Sequence, residues 1–304
     1  MEYRELGRDG PRVPVLGFGA WPLGGGMGDI DEGTAIATVR AAIDAGITLI
    51  DTAQGYRTSE ATLGKALRDG YRQKCFLATK VSGDYSAKGI RAAIENSLRN
   101  LDVEFVDLYQ IHGWSEEYPV EESIATLAEL QREGKTRHIG VSNYNAERMR
   151  RALGTARFQS CQPRYNMFDR RIEAEDIPFC EREGIGLLTH SALAKGLLTG
   201  KYYPGHKFAE GDERSGFPQF QGETFAGYLA AAEELREVAR GKDLTLVQMA
   251  IAWLLRLPAV SCVLVGARNP EQVKEHLGAL GVAFDAQELA RIDAILAAAP
   301  RPEA

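Results

Sequence analysis

The fold is decided by residues 47–80, which read ITLIDTAQGYRTSEATLGKALRDGYRQKCFLATK. Two short apolar runs in this stretch, at 47–50 and 75–79, are typical of buried strands, and a helical pattern separates them. The first run stops at Asp51 and the second at Lys80, while Tyr56 lies in the loop after the first. The pattern predicts that a carboxylate, an ammonium and a phenol converge on one cleft.

The same alternation of short apolar strands and helices continues along the rest of the chain. Strands that are apolar on both faces are typical of a buried parallel sheet, and eight of them between helices favour a barrel. We therefore expect an α/β fold, a (β/α)8 TIM barrel with extra helices, in which residues 1–304 form a single domain. The predicted strands are 16–19, 47–50, 75–79, 105–111, 138–141, 158–161, 185–189 and 261–265.

Local signals refine this fold. Asp9-Gly10 lies between two short runs and predicts an N-terminal hairpin that covers one end of the fold. Ser86 is a predicted helix cap, a helix is expected near 173–183, and residues 201–222 predict a long loop. An open doubly wound sheet is the alternative fold. It is weakened because no Gly-x-Gly-x-x-Gly follows the first strand in a βαβ setting.

The composition of the chain excludes several classes of protein. Its 304 residues carry a net charge of −6 and a pI near 5.6, which argues against a nucleic acid or an acidic membrane as the partner. No run approaches the roughly 18 apolar residues of a membrane span, and the N-terminus has no signal core. Since no Cys-x-x-Cys pair is present, reduced thiols and a cytoplasmic location are expected for Cys75, Cys161, Cys180 and Cys262.

Polar or aromatic side chains follow nearly every predicted strand. Barrel enzymes place their chemistry at the C-terminal ends of the strands. Taken alone, each side chain has an ordinary explanation: Asp51 as a turn cap, Lys80 as a solvated charge, His112 as a core histidine. Occurring together at matching positions, they predict a site made of Trp21, Asp51, Lys80, His112, Asn143, Gln162, His190 and the segment from Gly266 to Arg268.

The first of these side chains can form a proton donor. A tyrosine with its ordinary pKa of about 10 keeps its proton at neutral pH, and a nearby ammonium favours the phenolate. Lys80 would supply that ammonium, and Asp51 would keep it charged. His112 could hydrogen-bond a substrate oxygen, which Tyr56 would protonate while another group attacks the adjacent carbon. Neither metal-ligand spacing nor a Gly-x-Ser-x-Gly nucleophile motif is present.

Motifs along almost the whole chain resemble those of the aldo-keto reductase family. They are Gly17-Phe18-Gly19-Ala20-Trp21, Asp51-Thr52-Ala53 with Tyr56, Ala78-Thr79-Lys80, Ile111-His112, Gly140-Val141-Ser142-Asn143, Gln162 with Tyr165-Asn166, Gly196-Leu197-Leu198-Thr199-Gly200-Lys201 and Gly266-Ala267-Arg268-Asn269-Pro270-Glu271-Gln272. The resemblance implies an oxidoreductase that uses a nicotinamide dinucleotide to reduce an aldehyde or ketone to an alcohol, with no flavin and no metal. It implies that Tyr56 is the general acid, that Lys80 and Asp51 tune it, and that His112 orients the carbonyl.

The resemblance also implies the residues that hold NADPH or NADP+. Ser142, Asn143 and Gln162 match those that bind the nicotinamide carboxamide. The segment along the ribose and pyrophosphate is matched by Ser191, Leu193, Gly196, Lys201 and Arg214. The adenosine end is matched by Gly266, Arg268, Gln272, Glu275 and His276, and the remaining cofactor positions are Gly19, Ala20, Trp21, Asp51 and His190.

The preference for NADPH over NADH depends on Arg268. This residue immediately precedes the helix start Asn269-Pro270, where unpaired N–H groups, the helix dipole and a guanidinium favour a phosphate. Two positions depart from the family pattern. His190 replaces an aromatic residue that stacks on the nicotinamide, and its charge could change near neutral pH; His276 replaces an asparagine at the adenine.

The expected substrate is a small carbonyl compound, in a pocket walled by Trp21, Tyr56, His112, Trp114 and parts of residues 201–222. Two rival functions from other classes remain open. One is a nicotinamide-sensing regulatory subunit on the same fold, and the other is a lyase or aldolase that uses Lys80 as a Schiff base.

Overall fold

A closed barrel of eight parallel strands forms the centre of the protein, as given by a computed structural model that describes residues 1–301. The strands are β1 (Tyr3–Glu5), β2 (Arg12–Pro14), β3 (Leu16–Gly19), β4 (Leu49–Asp51), β5 (Phe76–Val81), β6 (Val106–Ile111), β7 (Thr136–Ser142), β8 (Ser160–Gln162), β9 (Gly186–Thr189) and β10 (Val260–Val265). Strands β3 to β10 pair in chain order, and β10 closes on β3. The predicted barrel is therefore confirmed, and the open sheet is wrong. The last three residues of the predicted domain lie outside the described part.

Helices cover the outside of the barrel. They are α1 (Glu32–Asp44), α2 (Ser59–Ala66), α3 (Ala87–Leu101), α4 (Val120–Arg132), α5 (Ala146–Leu153), α6 (Asp176–Glu183), α7 (Gly222–Arg240), α8 (Leu246–Leu255), α9 (Pro270–Leu277) and α10 (Ala286–Ala298). Ser86 caps α3 as predicted, because its hydroxyl accepts a hydrogen bond from the Gly89 amide at 3.1 Å. None of the helices within residues 1–301 is long and apolar enough to cross a membrane.

Two segments differ in detail from the sequence-based expectation. The helix expected near 173–183 is divided, since a 3-10 turn at Arg171–Glu173 precedes the shorter α6. The long loop at 201–222 contains two 3-10 turns, Glu213–Gly216 and Pro218–Phe220. The loop is therefore partly ordered by its own local hydrogen bonds.

The interior of the barrel is divided into an apolar layer and a polar layer. Because side chains alternate along a strand, residues two apart point the same way. The apolar layer contains Leu49, Ala78, Leu108, Leu188 and Leu264, all buried. Each lies two residues before a residue at the C-terminal end of its strand. Four of those residues form the polar layer, Asp51, Lys80, Gln110 and His190, and the fifth is Gly266.

The N-terminal hairpin closes the apolar end of the barrel. β1 and β2 pair antiparallel, and the buried side chains of Leu6 and Val13 pack into the apolar layer. The Arg8 amide donates to the Gly184 carbonyl at 2.8 Å, just before β9 begins. The predicted hairpin therefore exists, and it plugs the end of the barrel opposite the polar side chains.

Candidate active site

A buried ion pair lies at the C-terminal ends of β4 and β5. Lys80 Nζ donates to Asp51 Oδ1 at 2.6 Å and to the Thr52 carbonyl at 2.9 Å, and its side chain is 0% exposed. Burial on its own would lower the pKa of Lys80. The Asp51 carboxylate and Tyr56 outweigh that effect, so the pKa of Lys80 is raised above its ordinary value. Lys80 therefore remains an ammonium at neutral pH.

The Tyr56 phenol lies beside this ion pair. Its hydroxyl is 3.4 Å from His112 Nε2, and its ring centre is 5.1 Å from Lys80 Nζ. Burial raises the pKa of Tyr56, Lys80 lowers it and Asp51 raises it, and the balance is a raised pKa. The expectation of an unusually acidic phenol is thus wrong for this state of the site, because burial outweighs the cation. Tyr56 keeps its proton at neutral pH.

His112 is the third group at this point. A hydrogen bond of 2.8 Å joins its Nδ1 to the Ser82 hydroxyl, and its ring meets that of Tyr56 edge to face at 5.3 Å. Burial, together with the charge of Lys80, lowers the pKa of His112 to about 3. Its imidazole is therefore neutral at physiological pH and can hydrogen-bond an oxygen without supplying a charge.

The second oxygen of Asp51 is held by two amide side chains. Gln162 Nε2 donates to Asp51 Oδ2 at 2.9 Å and Gln110 Nε2 at 3.4 Å. Sequence reasoning missed Gln110 and Ser82, although their positions give a signal. Gln110 lies two residues before His112 and opposite Lys80 in the sheet, and Ser82 lies two residues after Lys80. Side-chain alternation places all of them on the inner face.

A cavity of about 1100 Å³ opens at this end of the barrel. Tyr56 and Asp51 lie in its wall, together with most of the residues predicted to hold a cofactor. The predicted residues in the wall are Gly19, Trp21, Asp51, Tyr56, Asn143, Gln162, His190, Ser191, Leu193, Gly196, Lys201, Gly266, Arg268, Gln272, Glu275 and His276. Six predicted residues lie outside that wall: Ala20, Lys80, His112, Ser142, Trp114 and Arg214. Lys80, His112 and Ser142 nevertheless contact residues of the wall through hydrogen bonds.

Trp114 and Arg214 are directed elsewhere. The Trp114 ring meets Tyr144 edge to face at 5.2 Å, and its Nε1 donates to Glu116 at 2.6 Å. Arg214 is buried, with its guanidinium bonded to both oxygens of Asp212 and, at 2.8 Å, to the Tyr202 hydroxyl. Neither residue lines the cavity: Trp114 packs against Tyr144, which does, and Arg214 has its polar partners within its own loop.

His190 forms part of a polar chain at the end of β9. Its Nε2 is 3.0 Å from Asn143 Oδ1, and its Nδ1 is 3.0 Å from the Ser191 hydroxyl. Burial is the main cause that lowers the pKa of His190 to about 3, and neighbouring cations lower it further. The expected charge change near neutral pH is therefore wrong, since both ring nitrogens are buried or bonded and the ring stays neutral.

The start of α9 differs from the expectation of unpaired amides. The Asn269 side chain accepts a hydrogen bond from the Gln272 amide at 2.9 Å, and the Gln272 side chain accepts one from the Arg268 amide at 2.8 Å. The Arg268 guanidinium itself bonds the carbonyls of residues 27–29, including that of Asp29 at 2.7 Å. These bonds hold the guanidinium at the cavity wall while leaving its Nε and a second Nη2 hydrogen for an anion.

A model of the Aldo/keto reductase family matches residues 15–297. The chain belongs to the aldo/keto reductase family. It is 36% identical over 310 residues to the aldo-keto reductase YhdN of Bacillus subtilis, with 97% of this chain and 94% of the relative covered. It is 32% identical to the L-glyceraldehyde 3-phosphate reductase of Escherichia coli, with 96% and 92% covered.

Solved structures give the same result. The glycerol dehydrogenase of Gluconobacter oxydans superimposes with a TM-score of 0.88 at 35% sequence identity, over 99% of this chain and 97% of that one. The protein is thus an oxidoreductase that reduces carbonyl compounds with a nicotinamide cofactor. The regulatory-subunit alternative is not favoured, because the similar proteins are reductases and dehydrogenases. A Schiff base is disfavoured too, since Lys80 lies outside the cavity wall with a raised pKa.

Cavity-wall residues that sequence reasoning missed include Arg164, Asp169 and Lys195. Arg164 lies two residues after Gln162, and Lys195 immediately precedes Gly196. Their positions beside these matched residues indicated that both could lie close to the site. Nothing in the sequence showed that their side chains face the cavity.

Proposed function

We propose that Tyr56 donates the proton in an NADPH-dependent reduction of an aldehyde or ketone to an alcohol. The observation that carries this proposal is the meeting of Tyr56 and His112 at one point beside the buried Lys80–Asp51 pair. A phenol, a neutral imidazole and a fixed ammonium are the groups needed to hold and protonate a carbonyl oxygen.

Each residue of this group has a separate task. His112, fixed by Ser82, directs its Nε2 at the carbonyl oxygen and orients it beside the Tyr56 hydroxyl. As the Tyr56 proton moves to that oxygen, negative charge grows on the phenol, and Lys80 stabilises it. Asp51 keeps Lys80 charged and in place, and Gln162 and Gln110 fix Asp51 in turn.

The cavity fits a nicotinamide dinucleotide. When bound, this cofactor supplies a hydride to the carbonyl carbon. Gln162 lies in the same wall as Tyr56, and within residues 1–301 its side chain donates only to Asp51, so its Oε1 can accept an amide N–H of the carboxamide. Lys201 and Arg268 provide cations in the same wall for phosphate groups. Asn143 and Ser191 adopt φ values of +58°, a strained conformation that is frequent at functional sites.

The preference for NADPH is assigned to Arg268. Its remaining N–H donors can bind the phosphate that distinguishes NADPH from NADH. Family membership alone does not fix this choice, since a methylglyoxal reductase of Escherichia coli, 32% identical over 309 residues, is described as NADH-specific.

Arg268→Ala tests this assignment. We expect the Kd for NADPH to rise about tenfold or more, while the Kd for NADH changes little, since charge-assisted hydrogen bonds are worth roughly 1.5–3 kcal/mol. Lys274→Ala is the matched control, because Lys274 is exposed on α9 and lies outside the cavity wall. Equal losses for the two cofactors would place the phosphate elsewhere.

The reaction is tested by supplying NADPH and then NADH with aldehydes, ketones, quinones and sugars. We expect oxidation of the cofactor to depend on the carbonyl compound and to yield one alcohol per cofactor consumed. Failure of every carbonyl class with both cofactors would contradict the proposed function.

A further inference from the structure

The ammonium group of Lys195 lies between aromatic rings instead of beside an anion. Its Nζ is 4.7 Å from the centre of the Trp21 ring and 3.6 Å from that of Phe217. Within residues 1–301, this Nζ takes part in neither a hydrogen bond nor an ion pair. Two cation–π contacts hold the ammonium in place but leave its three N–H donors without acceptors. Because Lys195 lies in the cavity wall, those donors are accessible to a ligand there.

The acidic groups near Lys195 are committed to other cations. Glu213 raises the pKa of Lys195 and so stabilises its charged form, but the Glu213 carboxylate is already paired with Arg57 at 3.0 Å. The buried Asp169 carboxylate is shared by Arg164 and Arg171, each at 2.8 Å. Each of these two carboxylates is therefore already paired with another cation. The surroundings of Lys195 therefore favour an additional anion.

We propose that Lys195 binds the anionic group, a carboxylate or a phosphate, of a small aldehyde substrate and so determines which carbonyl compounds the site prefers. This inference rests on the proposed carbonyl reduction at Tyr56 and adds the charge of the substrate to it. Trp21, which contacts Lys195, lies in the same cavity wall as Tyr56. A substrate in this cavity can therefore present its carbonyl to Tyr56 and its anion to Lys195.

A substrate anion is favoured over a cofactor phosphate by the grouping of the cations. Burial is the main cause that lowers the pKa of His190, and the charges of Lys80, Arg164 and Lys195 lower it further, which places Lys195 near His190. Burial likewise lowers the pKa of Lys201, but the charges that add to it are those of Arg214 and Arg268. Arg214 affects both lysines, but Arg268, to which the cofactor phosphate is assigned, affects Lys201 and not Lys195.

The backbone at Lys195 supports a functional role. Its φ is +55°, and the preceding Ala194 also has a positive φ of +48°. Such a conformation costs a residue other than glycine about 1 kcal/mol or more, and it is concentrated at functional sites. The turn directs a long cationic side chain towards Trp21, which glycine, the residue best suited to this backbone, could not do.

The test compares pairs of aldehydes in which one member carries an anionic group and the other does not. Succinic semialdehyde is paired with butanal, and glyceraldehyde 3-phosphate is paired with glyceraldehyde. We expect kcat/KM to favour the charged member of at least one pair, and the pair that responds distinguishes a carboxylate from a phosphate. Lys195→Met should lower kcat/KM for the preferred charged aldehyde about tenfold to a hundredfold, with less than a twofold change for its neutral partner. Lys195→Arg should retain the preference because it keeps the charge.

The pH profile gives a readout that a purely structural role would not change. Burial lowers the pKa of Lys195 to about 8, with Glu213 raising it and Arg164 and Arg214 lowering it. Below that pH the ammonium is charged, so preference for the anion should decline as the pH rises through about 8 and be absent in Lys195→Met.

Two results would overturn the proposal while leaving carbonyl reduction intact. One is wild-type protein that reduces charged and neutral aldehydes equally well. The other is a Lys195→Met variant that loses activity on both members of a pair alike or binds NADPH more weakly. Wild-type protein that reduces no carbonyl compound would instead contradict the proposed function itself.

Discussion

The two ends of the barrel are built from the same strands but have opposite chemistry. At the N-terminal end, Leu6 and Val13 of the hairpin complete an apolar layer. At the C-terminal end, only two residues further along each strand, the fully buried Lys80 pairs with Asp51. The same apolar strands therefore support a stabilising hairpin at one end of the barrel and a charged site at the other. Only the residues at the two ends of the strands differ.

The energies of the two ends differ accordingly. Fully burying a leucine contributes roughly 1.5–3 kcal/mol to stability. A buried ion pair contributes little, because desolvation offsets most of its attraction, yet removal of one partner is strongly destabilising. We infer that the N-terminal hairpin stabilises the barrel and that the ion pair between Lys80 and Asp51 serves catalysis.

The largest expected effect is at the polar end. Lys80→Met should destabilise the fold by about 3–5 kcal/mol, because it leaves Asp51 buried without its cation. It should also reduce carbonyl reduction at least about a hundredfold, since the charge that stabilises the Tyr56 phenolate is lost. Urea unfolding and steady-state kinetics measure the two effects. A stable variant with normal turnover would break the comparison.

A substitution in the N-terminal hairpin should affect stability but not catalysis. Leu6→Ala removes a fully buried side chain and should destabilise the fold by about 2–5 kcal/mol. Because Leu6 lies at the opposite end from Tyr56, kcat and KM should stay unchanged at temperatures where the variant is folded. A change in KM without a loss of stability would show that the two ends are coupled.

A smaller expected difference between the two ends is the change in the free energy of unfolding at acidic pH. Burial lowers the pKa of His276 to about 4 in the folded state, against an ordinary value near 6.5. The unfolded chain therefore binds the extra proton first, and stability falls as the pH drops from 6.5 towards 4, by up to about 1.4 kcal/mol per pH unit for this residue. The free energy of unfolding, plotted against pH across that range, should change less steeply for His276→Gln than for the wild type. The Leu6→Ala curve should run parallel to that of the wild type.

The sequence predicted the barrel and the proton-donating group because both depend on local patterns. Short apolar runs define strands, and the C-terminal ends of parallel strands meet at one face, so Asp51, Lys80 and His112 had to come together. Gln110 was missed because it was interpreted as an ordinary strand residue, and Ser82 because it follows the predicted strand 75–79. The alternation of side chains along these segments could have shown that both face inward. That residues 1–304 form a single domain stays a prediction.

The remaining differences depend on packing that one sequence does not reveal. Arg214 was expected at the cofactor, but Asp212 and Tyr202 bind its guanidinium within the loop. Trp114 was expected in the substrate pocket; it packs against Tyr144, which lines the cavity, without lining the cavity itself. The pKa of Tyr56 is raised mainly by burial, and the extent of burial could not be predicted from the neighbouring charged residues in the sequence.

Tyr56→Phe is the most direct test of the central claim that this phenol supplies the proton. The substitution removes the hydroxyl and leaves the ring beside His112 and Lys80. We predict that the Kd for NADPH stays within about twofold and that kcat for carbonyl reduction falls about a hundredfold to ten-thousandfold. Tyr118→Phe, outside the cavity wall, should behave as the wild type. Unchanged kcat in Tyr56→Phe would contradict the account.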